Sequence, residues 1–193
     1  GDGYKRQVGH PDMKAAGSSG AQRWLPTASL AALYAVAVAF YVLLARGQPV
    51  PQVTPDEFTY GALARAVAAG DGLELRGEPF ELPSALYIFA IAPAWLATSS
   101  TVDAYAIAKI IGAVLCCLVV VPTWLLARQF VRPLAAFVAA SLAVTGSWMT
   151  QTGQLITENL ALPLAAGCLA ALTVALTRPQ PARVGWLSLI NIL

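Results

Sequence analysis

Charge is scarce in this sequence. Only 11% of its 193 residues are Asp, Glu, Lys or Arg, against about 25% in an ordinary soluble domain. Histidine occurs once, as His10, and cysteine three times, as Cys116, Cys117 and Cys168, all within apolar runs. No metal-ligand spacing is present. Adjacent Cys116 and Cys117 are poor disulfide partners for each other, and all three cysteines read as small lipid- or protein-facing residues. The net charge is +2 and the basic residues are scattered. That excludes the arginine-rich stripe that marks a nucleic-acid partner.

Apolar residues fill the space that charge leaves. Hydrophobic residues make up 58% of the chain and the mean hydropathy is +0.65. The expected class is an all-α polytopic membrane protein with about four complete transmembrane helices and the start of a fifth. The first run, within residues 24–46, has about 22 apolar residues, enough to cross a bilayer. Further spans are expected at 103–127, 134–151 and 158–177, with a fifth beginning at 184–193. The chain starts without Met and stops inside the apolar run "VGWLSLINIL". It reads as the N-terminal part of a longer protein, with residues 1–23 as a polar tail.

Charge placement sets the orientation. Lys5, Arg6, Lys14 and Arg23 precede the first span, which puts the tail in the cytoplasm by the positive-inside rule. The run at 84–98 is short and contains Pro93, as an interfacial segment would. Were it to cross, Arg128 and Arg132 would fall outside and Glu158 inside. Lying on the surface, it leaves Arg128, Arg132, Arg178 and Arg183 all inside. Trp24, Trp124, Trp148 and Trp186 then sit near span ends, where aromatic belts form. Residues 47–102 become an extracytoplasmic loop with surface helices at about 55–69 and 84–98. Asp56, Glu57, Asp71, Glu74, Glu78, Glu81, Asp103 and Glu158 all face that side, eight of the ten acidic residues.

The loop opens on "TPDE". Thr54 suits an N-cap, Pro55 the first helical position, and Glu57 the third residue of a capping box. Asp56 is favoured there by the helix dipole and is left free. Gly70 suits the helix C-terminus. Beyond it, "GDGLELRGEPFEL" carries hairpin turn chemistry.

The order of these features resembles the N-terminal part of the GT-C-fold glycosyltransferases, in particular the dolichyl-phosphate-mannose protein mannosyltransferase-like family. The residues that carry the resemblance are Asp56-Glu57, "ARAVAAGDGLELRGEP", "LPSALYIFAIAPAW", "WLLARQF" and Thr157-Glu158, and together they cover 54–176. Members often carry His or a second Pro near Pro83, where this chain has Leu82 and Ser84. The resemblance implies transfer of a sugar from a polyprenyl-phosphate donor to an acceptor hydroxyl outside the bacterial plasma membrane. It implies Asp56 as the base that deprotonates that hydroxyl, with Glu57 and Glu158 as further catalytic carboxylates. Lys109 and Arg65 are the candidate cations for the donor phosphate. No cofactor is fixed, and a divalent cation at Glu57 is compatible with the pattern.

Each of these residues also has a plain structural role. Glu57 can simply cap its helix. Glu158 can be a carboxylate favoured at a helix start, with Thr157 as its cap. Lys109 lies about two turns into the second span and can snorkel. Arg65 can be a solvated helix-face residue. Two other functions fit the same composition. A transporter subunit would carry ionisable residues and broken helices in its spans. A non-catalytic assembly module would fold and lack chemistry, as this portion of a glycosyltransferase would if taken alone.

Overall fold

The computed structural model describes residues 18–47, 55–80 and 85–177. The tail before Ser18, the expected cap residue Thr54 and the expected start of a fifth span at 184–193 lie outside them. The described chain is mainly helical, and three of its helices are long and apolar enough to cross a membrane: Thr27–Arg46, Thr101–Ala127 and Glu158–Thr177.

The first of these belongs to α1 (Ser18–Arg46) and the last is α8 (Glu158–Thr177). The middle one is built of α5 (Thr101–Cys117) and α6 (Val120–Ala127). Pro122 explains the joint: it has no N–H to give the carbonyl of Leu118, and its ring crowds that carbonyl. The backbone tightens there, with Leu118 N–H bonded to Leu115 O and Val121 N–H to Leu118 O.

Residues 134–151, expected as one span, divide instead. Helix α7 (Pro133–Ala143) has 11 residues, about 16 Å at 1.5 Å per residue, against a hydrocarbon core of about 30 Å. It ends where the Tyr41 hydroxyl donates to the Val144 carbonyl at 2.6 Å, beside Gly146. A 3-10 helix (Ser147–Gly153) follows. Much of this connection packs inward: Met149, Thr152, Leu155 and Ile156 are buried, while Thr150 and Gln151 are exposed.

Two clusters of buried side chains result. The bundle core gathers Ala37 and Tyr41 of α1, Ala113, Cys116 and Cys117 of α5, Val120, Ala140 and Met149. The cap core gathers Leu63 and Ala64 from α2 (Pro55–Ala69), Tyr87, Ile88 and Ile91 from α3 (Ala85–Ile91), Ala94 from α4 (Pro93–Ala97), and Ala108 of α5. Bundle helices keep large apolar residues on the outside, among them Leu43, Leu142 and Leu176. An apolar outer surface suits lipid better than water.

Local chemistry shapes the cap. Pro55 opens α2 with its fixed φ. Gly70 closes it at φ +90°, and Asp71 N–H bonds Ala66 O while Gly70 N–H bonds Val67 O, a Schellman ending. The two-stranded hairpin of β1 (Glu74–Leu75) and β2 (Glu78–Pro79) turns through Arg76 and Gly77, both at positive φ. Pro93 splits the expected 84–98 surface helix into α3 and α4.

Candidate functional site: a polar seam between cap and bundle

The cap meets the bundle along one face of α5, and that face is polar. Tyr105, Lys109 and Gly112 recur at spacings of four and three, so they stand in a row. Tyr105 and Lys109 face Glu57 of the cap, and Gly112 faces Tyr87 and Asn159.

Glu57, in the first turn of α2, and Lys109 are both buried, with relative exposures of 0% and 3%. Their charged atoms lie 3.4 Å apart. Neither carboxylate oxygen of Glu57 accepts a hydrogen bond among the described residues. The capping partner expected for Glu57, the backbone N–H of Thr54, lies outside the described residues; within them the side chain faces the ammonium group. The Lys109 nitrogen also lies 5.9 Å from the centre of the Tyr105 ring, within cation–π range. The Tyr105 hydroxyl donates to the Glu57 carbonyl at 2.8 Å. Removing one partner from such a pair strands a buried charge, at a typical cost of about 3–5 kcal/mol.

Further along the row, Asn159 and Tyr87 meet above Gly112. Asn159 Nδ2 donates to the Tyr87 hydroxyl at 3.3 Å and to the Gln154 carbonyl at 2.9 Å. Both side chains are almost fully buried. Burial pushes the Tyr87 phenol well above its ordinary pKa, with the charge of Glu57 adding to the effect and the bond from Asn159 opposing it. Tyr60 packs edge-on against Tyr87 at 6.1 Å.

The other candidate residues stand at the surface. Asp56 is exposed one position before buried Glu57. Glu158 is exposed at the start of α8, its carboxylate accepting from Thr157 Oγ1 at 3.3 Å. Arg65 is exposed on α2 and lines two grooves. One, of about 240 Å³, lies against Trp95 and Thr98–Thr101. The other, of about 440 Å³, lies against Phe58 and the hairpin residues Glu74–Gly77. Asp56, Glu57, Lys109 and Glu158 line neither groove. Of the five candidates, the fold thus joins Glu57 to Lys109 and leaves Asp56, Arg65 and Glu158 open to solvent.

No family model, curated protein or solved structure matches this chain.

Among the described residues, no group of three His, Cys, Asp or Glu side chains comes together as a metal site. The seam also holds residues that sequence reasoning passed over: Tyr87, Tyr105, Gly112 and Asn159. A signal for two of them was present. Tyr105 and Gly112 share the helical face of Lys109, and a lysine in an apolar run needs partners on its own face.

Proposed function

We propose that this chain is the N-terminal transmembrane module of a membrane glycosyltransferase that moves a sugar from a polyprenyl-phosphate donor to an acceptor hydroxyl on the extracytoplasmic side. The observation that carries this reading is the split of an adjacent carboxylate pair. Glu57 is buried against Lys109 while Asp56 remains exposed in the same helical turn. A carboxylate held at the surface of a cap over apolar helices can meet an aqueous acceptor and a lipid-held donor together.

In this reading Asp56 accepts the proton of the acceptor hydroxyl. The hydroxyl oxygen bonds to the anomeric carbon, and the bond from that carbon to the phosphate oxygen breaks. The electron pair leaves on the polyprenyl phosphate. A placed base typically contributes about 10²–10⁴-fold. Arg65 is the exposed cation suited to the phosphate, because Lys109 is turned to Glu57. Glu158 is an exposed carboxylate at the foot of α8 that can orient the acceptor. The positive-inside pattern supports a plasma-membrane protein with a cytoplasmic N-terminus, its cap and acidic loop outside.

The test is a donor-dependent transfer assay on the full-length protein, comparing Asp56→Asn with the parent. A fall of about 100-fold or more is expected, and full activity in the variant removes Asp56 as the base. A second reading, a transporter subunit, draws on the buried Glu57–Lys109 pair, since ionisable groups within helical bundles often line ion or substrate paths. Flux through proteoliposomes without glycosyl transfer would favour it.

A further inference from the structure

The Glu57–Lys109 contact is an unusual way to spend two buried charges. Its 3.4 Å separation exceeds the 2.7–2.9 Å or so of a charge-assisted hydrogen bond. The carboxylate finds no hydrogen-bond donor among the described residues. Replacing a buried pair by apolar side chains of similar volume is often neutral or stabilising. What the pair does supply is direction, because it ties one point on α2 to one point on α5. Two contacts beside it repeat that tie. The Tyr105 hydroxyl holds the backbone carbonyl of Glu57, and Gly61, one turn on, packs close against the Tyr105 ring. All three act on the opening turns of α2, where Asp56 projects to solvent.

We propose that Lys109 is a positioning residue: by holding Glu57 it fixes the first turn of α2 and so the direction in which Asp56 presents its carboxylate. This rests on the reading of Asp56 as the base. It differs from a phosphate-binding role for Lys109, which would need the ammonium group turned toward the donor. The two roles predict opposite behaviour when both partners are replaced together. A positioning pair can be exchanged for apolar side chains, whereas a phosphate ligand cannot.

The experiment compares Lys109→Met with the double variant Glu57→Leu/Lys109→Met in the full-length protein. Without substrate, hydrogen exchange is followed at the amides of residues 59–63. The single variant, with a stranded carboxylate, should exchange about tenfold faster or more, and the double should regain the parent's protection. In the transfer assay the single variant should lose about 100-fold in kcat, the scale of a small misplacement, at unchanged donor KM. The double should recover most of that loss. A raised donor KM in Lys109→Met with α2 protection unchanged would overturn the proposal, as would a double variant that recovers neither quantity. If the single variant does not fold, the double decides alone: native protection with near-parental kcat supports positioning, and native protection with kcat lost refutes it. Full activity in Asp56→Asn would remove the catalytic reading, while the exchange measurement would still report on the tie itself.

Discussion

Gly61 and Tyr105 approach so closely that the ring fills the space a side chain would need. A Cβ on Gly61 would lie 2.8 Å from Tyr105 Cε2 and 2.9 Å from its hydroxyl oxygen. The same ring stacks edge-on with Trp95 at 6.0 Å, so it has little room to retreat. Gly61→Ala should therefore push the ring aside and pull its hydroxyl off the Glu57 carbonyl. The expected loss is about 1–3 kcal/mol of stability, as for other overpacked sites, read as a lower unfolding midpoint in detergent. Tyr105→Phe removes the hydrogen bond and keeps the ring, and should cost only about 1 kcal/mol.

Gly112 gives a second, coupled case. A Cβ there would lie 2.9 Å from Asn159 Nδ2 and 3.1 Å from the Tyr87 hydroxyl. Gly112→Ala should separate Asn159 from Tyr87 and destabilise the junction of α5 with α8. Because the clash falls on the far end of Asn159, Gly112→Ala and Asn159→Ala should be markedly less than additive when combined. A double-mutant cycle on unfolding free energy measures this, with a coupling above about 0.5 kcal/mol expected for groups in contact.

Tyr87 predicts an alkaline response. Burial raises its pKa in the folded protein, so the neutral phenol persists where an unfolded tyrosine, with a pKa of about 10, has already lost its proton. Above that pH the unfolded state binds fewer protons than the folded one, and stability falls as pH rises. The contribution is level below about pH 10 and declines from there toward the folded pKa. Tyr87→Phe should flatten part of that decline. Unfolding midpoints measured from pH 8 to 11 for parent and variant provide the comparison.

Much of the cap could be read from the chain because its signals are local. Pro55 and Gly70 bracket α2 by their own backbone preferences, and Arg76-Gly77 make the hairpin turn. The division of labour between Asp56 and Glu57 could not be read that way. A capping box and a buried ion pair both draw on Glu57, and the ion-pair partner Lys109 lies 52 residues downstream. The end of α7 was hidden for a similar reason. Residues 134–151 are apolar enough for one span, yet a hydroxyl from α1 takes the Val144 carbonyl. The pairing of Tyr87 with Asn159 depends on α3 and α8 converging over a glycine of α5, which no local pattern encodes.

The ties that α1 makes also span long stretches of chain. Its Tyr34 hydroxyl finds its acceptor at Val114, 80 residues later, and its Tyr41 hydroxyl at Val144, 103 residues later. Both hydroxyls of α1 therefore depend on acceptors made much later in the chain. At a synthesis rate of about 5–20 residues per second, Tyr41 waits roughly 5–20 s for its partner. Until Val144 is made, the Tyr41 hydroxyl lacks that acceptor, and the end of α7 must reach α1 before the contact can form.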